Sequence, residues 1–445
     1  MQETIPDGGL DTELREWRDA AWAQLSARRL TDLVVGMVGI PSPTGEEGPL
    51  AEWLTEELAG AGLESTCQRI DDRQANSVGL LRGAGTGEDV LLYAPIDTLT
   101  VGDPAEDIPW IGPELRRDMR PSAQVDGDHV LGLGASNPKG HAAAVLAAAE
   151  AISKAGVPLR GDVLVGFGAG GMPSNGRLTR GMTRRNTGQG VGCSFMLEQG
   201  LWADHAVVAK PGWAVAWEEV GLCWFEVRVR GTFTYVGSRH RMDYQNAIAG
   251  AATVVEELEA WFPEYAARHT DGLVAPQGIV AAIEGGWPRM AAVAPALCRI
   301  TVDLRTSPRS TPNKVRREFG TVMSAIAERH PDLDLDWSMI LSIPATHTPP
   351  DSPVITSAIA AWEEISGRKH EPITHTSGGT DANILRNRGL PTARIGMDRI
   401  GPDAPMALDF PAGMNVVDIR EAMRLARYLI HLTVGLCGRE RKDPG

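Results

Sequence analysis

Ser136-Asn137-Pro138-Lys139 places a hydroxyl and an amine one helical turn apart, where a loop turns into a helix. This is the Ser-x-x-Lys spacing in which a lysine activates a serine for attack on an amide carbonyl. The Ser-Asp-Asn and Lys-Thr-Gly companions of that chemistry do not occur where they are needed, so chance is the competing reading. Asp97 follows an apolar stretch, residues 90–94, that reads as a buried strand, and α/β proteins present reacting groups at strand ends. Gly378-Gly379-Thr380-Asp381-Ala382 is a glycine-rich turn. Its backbone N–H groups, and those at the helix start after Gly140, suit a carboxylate or a developing oxyanion.

The elements that carry these residues follow from periodicity and breakers. Helical spacing over 30–38 runs into Gly39-Ile40-Pro41-Ser42-Pro43-Thr44-Gly45-Glu46-Glu47, where Thr44 and Glu47 have capping-box spacing for a helix over about 46–58. Strand 90–94, helix 141–155, strand 163–167, the nearly uncharged loop 168–176, the basic stretch 177–185 and strand 206–209 give an α/β alternation. From Trp213 the pattern changes: strands 223–229 and 299–304 interleave with helices 246–262 and 314–330, an α+β domain over 215–340. The α/β texture resumes with helix 352–366, strand 392–396 and an amphipathic helix 419–434. The predicted organisation is an α/β catalytic-type domain of residues 1–214 and 341–445, interrupted by a smaller domain of residues 215–340.

At 445 residues the chain exceeds what one hydrophobic core usually fills. A formal charge of −14 argues against a phosphate-backbone partner, so no nucleic acid is expected. There is no apolar run long enough for a membrane span, and the polar, acidic start has no secretory pattern, so no membrane association is expected. Five widely spaced cysteines (Cys67, Cys193, Cys223, Cys298, Cys437) fit reduced thiols and a cytoplasmic location.

Seven stretches, in order and spacing, resemble one family: Ile40-Pro41-Ser42-Pro43-Thr44-Gly45-Glu46-Glu47, Ala94-Pro95-Ile96-Asp97-Thr98, Asn137-Pro138-Lys139-Gly140, Lys210-Pro211-Gly212, Asn246-Ala247-Ile248, Val302-Asp303-Leu304-Arg305 and Gly378-Gly379-Thr380-Asp381-Ala382. The family is that of the aminoacylases, acetylornithine deacetylases, succinyl-diaminopimelate desuccinylases and carboxypeptidase G, two-zinc amide hydrolases of zinc peptidase clan MH. The resemblance implies a phosphorylase/hydrolase-like α/β domain with a mixed central sheet, interrupted by an α+β ferredoxin-like lid that dimerises.

The metal ligands are replaced. The family's His-x-Asp falls on Pro95-Ile96-Asp97, which keeps only the orienting carboxylate, and its bridging Asp falls on Asn137. Its Glu-Glu pair, base then ligand, falls on Gly170-Gly171, and the carboxylate of its Glu-Pro-Thr falls on Lys210. The last His falls on Phe410, and the lid His that reaches a neighbouring active site falls on Tyr235. Zinc is bound by imidazole, carboxylate or thiolate, so no metal and no other cofactor is expected. A replacement metal site assembled from His141, Asp97, His375 and Asp381 competes with simpler readings, in which His141 is solvated at a helix start and Asp381 caps the helix of residues 383–386.

The same resemblance turns Lys139 and Lys210 toward the metal position, as base or nucleophile, or as structural partners of an acid such as Asp97. Catalytic roles are therefore expected among Lys210, Lys139, Asp97, Asn137 and Ser136. Substrate contacts are expected from Gly378, Gly379, Thr380, Asp381, Asn246, Tyr235, His240 and Arg289. Trp213, Trp217 and Trp224 line an aromatic pocket or fill core at the entry to the lid. The expected function is a metal-independent enzyme acting on an amide or related C–N bond of a small carboxylate-bearing molecule, working as a homodimer. A non-catalytic binding or scaffold homologue and a zinc enzyme with another ligand set are the alternatives.

Overall fold

The structure is a computed structural model that describes residues 9–174, 190–398, 400 and 413–441. The chain divides into two compact units, Met1–Trp217 with Thr348–Pro372 and Thr380–Gly445, and Glu218–His347 with Ile373–Gly379. No helix among the described residues is long and apolar enough to cross a membrane.

The first unit is built on a mixed six-stranded sheet in the order Glu64–Arg69, Ala75–Leu81, Val163–Gly168, Val90–Pro95, His205–Ala209, Thr392–Ile395. The first two strands form an antiparallel pair that meets Val163–Gly168 antiparallel, and the remaining pairings are parallel. Val90–Pro95 and Val163–Gly168 are buried along their whole length, which is why their sequences run apolar without alternation. The helix Lys139–Lys154 is buried from Lys139 to Ile152. Its alanines let neighbouring elements approach closely, and it shares one core with the helices Ala27–Gly39 and Ile419–Cys437.

Register fixes where the chemistry emerges. Pro95 pairs with Gly168, Tyr93 with Val208, and Ile395 with Ala209. Asp97, the Ala169–Met172 turn and Lys210 therefore all leave the sheet at the carboxyl ends of parallel strands, the usual place for a site in such a sheet.

The second unit is a four-stranded antiparallel sheet in the order Gly278–Gly285, Leu297–Thr306, Gly221–Arg230, Asp334–Ile343. Helices Ala247–His269 and Pro312–Arg329 complete the βαββαβ order of a ferredoxin-like domain. Cys223, Phe225, Val227 and Val229 alternate into its core, where Phe225 stacks on Phe319 with ring centroids 4.1 Å apart. The first of these helices was expected to stop before Pro263, yet it continues to His269. Tyr265, buried beyond the proline and donating its hydroxyl to the Arg305 carbonyl at 2.7 Å, holds the extra turns by tertiary packing.

Candidate functional site

Asp97 is fully buried just beyond its strand. Its Oδ1 accepts the Gly171 N–H at 2.9 Å, and its Oδ2 accepts the Met172 N–H at 2.8 Å and the Thr44 hydroxyl at 2.7 Å. Glu47, equally buried, accepts the N–H groups of Gly45 (3.0 Å) and Gly170 (2.9 Å) on Oε1 and the Gln74 amide (3.1 Å) on Oε2. Two buried carboxylates thus grip one glycine turn by its backbone. Burial, and then the charge of Asp97, push the Glu47 pKa up to about 7. The capping box expected from Thr44 and Glu47 does not form: the helix is Gly48–Gly60, and Glu47 makes no side-chain cap. Both residues turn inward instead, because a buried carboxylate needs several donors.

The glycines are there for space. A Cβ on Gly171 would lie 2.4 Å from Pro95 Cβ and 3.0 Å from Asp381 Oδ2, and one on Gly168 would lie 2.0 Å from the Tyr93 hydroxyl oxygen. Tyr93 is fully buried and donates to Asp381 Oδ2 at 2.6 Å. Burial and the adjacent Asp381 carboxylate push its pKa well above the ordinary value. The reading of Asp381 as a helix cap is corrected here. The helix is Ala382–Asn387, Asp381 makes no side-chain cap bond, and the Ala382 N–H is taken by Thr380 Oγ1 at 3.2 Å.

The two lysines part company. Lys210, nearly buried at the end of the His205–Ala209 strand, donates to Asn137 Oδ1 at 2.9 Å. Lys139 has no exposed surface and donates to the Ile40 carbonyl at 3.0 Å, and burial pulls its pKa down to about 7. Neither pairs with Asp97, whose three partners are a hydroxyl and two amides, so that expectation is corrected. Nor does Lys139 reach the Ser136 hydroxyl, since its ammonium is directed to a backbone carbonyl; the Ser-x-x-Lys spacing creates no nucleophile here. His141 is buried rather than solvated. Its Nε2 accepts the Met397 N–H at 3.2 Å, which leaves Nδ1 as the donor to the Ser136 carbonyl at 2.8 Å. Burial holds its pKa down at about 3. A neutral imidazole with both nitrogens engaged is no metal ligand.

Several expected contacts belong to the second unit and are described within it. Gly378 and Gly379 fall there, while Thr380 and Asp381 belong to the first unit. His375, with a left-handed φ of 58°, is also in the second unit. Asn246 is the N-cap of Ala247–His269, accepting the Ile248 N–H at 3.0 Å. Tyr235, His240 and Arg289 are exposed, and His240 Nε2 accepts from Arg241 Nε at 3.0 Å. The tryptophans are divided between the units. Trp213 is core of the first unit, 6.3 Å from the Trp362 ring; Trp217 lies 6.3 Å from the His370 ring; Trp224 lies in a strand of the second unit. Phe410 and the stretch 177–185 lie outside the described residues. Glu47 and Tyr93 were missed as site residues, the first because it reads as a cap, the second because a tyrosine inside an apolar strand reads as core.

The sequence profile of peptidase family M20/M25/M40 matches residues 91–410. The chain belongs to this family. Solved M20-type folds cover nearly all of it at low identity. The di-peptidase Dug1p from Saccharomyces cerevisiae matches with a TM-score of 0.71 at 11% identity, covering 96% of this chain and 99% of the other. Human carnosine dipeptidase 1 gives 0.68 at 13%, covering 96% and 100%. The YXEP protein of Bacillus subtilis, described as a dinuclear metal binding peptidase from the M20 family, gives 0.62 at 14%, covering 93% and 98%. At the positions where the sequence resemblance would put ligands of a dinuclear centre stand a proline, an asparagine bonded to a lysine, and a glycine with no room for a side chain, and this set does not fit such a centre. Among the described residues no three His, Cys, Asp or Glu side chains are grouped to hold a metal ion.

Proposed function

We propose that this M20 member acts, without a dinuclear metal centre, on an amide or related C–N bond of a small carboxylate-bearing molecule. The observation that carries the reading is the Lys210–Asn137 pair at 2.9 Å. A fixed cation stands where the family's pattern has a carboxylate ligand, so positive charge is kept at the strand ends while the means of holding a metal is lost. Lys210 supplies that charge to a substrate carbonyl or carboxylate oxygen. Asp97 and Glu47 keep the neighbouring turn rigid, and Lys139 and Ser136 take structural parts.

Chelator-treated protein assayed on a panel of N-acyl amino acids tests this. Turnover that survives metal removal supports the proposal, and turnover restored only by zinc contradicts it. A second reading, a binding protein without turnover, is favoured by one feature: position 170, where the family pattern has its catalytic base, is a glycine whose N–H is committed to Glu47. Ligand binding with no turnover on any panel member selects that reading.

The homodimer is part of the proposal. Gly278–Gly285 is an edge strand with Ile279 and Ile283 exposed, and the exposed Ile248 side chain reaches within 3.4 Å of the Cβ position at Gly285. An unprotected apolar edge of this kind suits pairing with a second copy about a two-fold axis. Light scattering at micromolar concentration should give twice the chain mass, and Ile283→Lys should halve it; a monomeric parent removes the claim. A cytoplasmic setting is also proposed, consistent with five cysteines that form no disulfide.

A further inference from the structure

A cavity whose lining does not include Lys210 or Asn137 lies in the first unit. It has a volume of about 510 Å³, within the range of small-molecule sites. Its apolar wall is Pro41, Pro43, Pro49 and Val101, and proline rings give it a rigid shape. Its polar wall carries both signs of charge. Arg73 Nη1 donates to Glu46 at 2.8 Å, Arg69 Nη2 donates to Glu52, and Asp72 stands beside them. Each guanidinium has one nitrogen engaged with its glutamate, and a guanidinium has five N–H donors in all. Asp72 has no hydrogen-bond or ion-pair partner among the described residues and lies exposed at the rim.

We propose that this groove binds a small amphipathic zwitterion, an α-amino acid with an apolar side chain. Its carboxylate meets the free N–H groups of Arg69 and Arg73, its ammonium meets Asp72, and its side chain lies on the prolines. An anion alone is opposed by three carboxylates, and an amine alone by two guanidiniums; a zwitterion satisfies both. The groove is wired to the first site through short chain segments. Pro43 bridges to Thr98, next to Asp97, and the Gly48 N–H bonds the Arg73 carbonyl while the adjoining Glu47 holds Gly170. Resting on the amide-bond reading above, the occupant is of the same class as the amino acid that cleavage of an N-acyl amino acid releases, so the groove serves as a product-sensing site.

The test is calorimetric titration of the full chain with L-leucine, 4-methylpentanoate, which lacks the ammonium, and isoamylamine, which lacks the carboxylate. Leucine should bind, and each of the other two at least about tenfold more weakly, the loss of one charge-assisted contact. The double variant Arg69→Ala/Arg73→Ala should lose leucine binding at least about tenfold with its fold intact by circular dichroism. No leucine binding, equal binding of the three probes, or a double variant that binds as the parent does would overturn the proposal. Binding is read without turnover, so a chain that binds leucine here but cleaves nothing refutes the amide-bond reading and leaves the groove standing.

Discussion

Pro95 fills the space that a side chain at Gly171 would need: a Cβ built on the glycine falls 2.4 Å from Pro95 Cβ, a separation that nonbonded carbons do not tolerate. Proline at position 95 thus requires glycine at position 171, the two places where the sequence resemblance expects a histidine and a glutamate.

Gly171→Ala should therefore destabilise the chain by at least about 2 kcal/mol, since neither Pro95 nor its strand can move away cheaply. In the Pro95→Gly background the same change should cost at least about 1 kcal/mol less, because the opposing Cβ is gone. Urea unfolding of the four proteins in the cycle measures the coupling, and additive costs would show that the two residues do not press on one another.

Tyr93→Phe removes the donor to Asp381 Oδ2 at 2.6 Å and leaves that carboxylate short of a partner in the interior. The expected loss is about 1–3 kcal/mol, read as a lower thermal midpoint. An unchanged midpoint would mean that the contact contributes nothing net.

Glu47 gives a pH dependence with a definite sign. Its pKa rises from an ordinary 4.5 to about 7 in the folded chain, so between those values the folded state holds more protons than the unfolded one. The associated stability is fully present below about 4.5 and is lost as pH rises through about 7. Glu47→Gln can still accept from Gly45 and Gly170, and it should remove this decline, raising the thermal midpoint relative to the parent at pH 8. A midpoint-against-pH curve with the parent's slope between pH 5 and 8 would contradict the assignment.

The fold was legible because its signals are local and redundant. Unbroken apolar runs such as residues 90–94 mark strands buried on both faces, and alternation over 223–229 marks a half-buried one. The residue types at Pro95, Asn137, Gly170, Gly171 and Lys210 were equally legible, since a proline, an amide, two glycines and an ammonium are read from the sequence directly. Partners were not. Whether Lys139 meets Asp97 or the Ile40 carbonyl, and whether Asp381 caps a helix or receives Tyr93, depends on chain segments separated by 99 and 288 residues in the observed pairs. Glu47 went unnoticed because its local role as a cap lost to a tertiary one with Gly170, 123 residues away.

Lys210→Ala should cost about 2 kcal/mol or more in transition-state stabilisation, roughly thirtyfold in kcat/KM, if the ammonium acts on substrate. Lys210→Met keeps the length and removes the charge, and it should show the same loss. Were Lys210 only a structural partner of Asn137, both variants would melt earlier while turnover per folded molecule stayed near the parent's.

The central claim is that Lys210, Asn137, Pro95 and Gly171 have replaced a dinuclear metal centre, and zinc titration of the chelator-stripped protein tests it most directly. Calorimetry with elemental analysis after desalting should find fewer than about one zinc per chain and no rise in thermal midpoint on adding the metal, as expected where imidazole and carboxylate donors are missing. Two tightly held zinc ions per chain, with a raised midpoint and zinc-dependent turnover, would contradict the account.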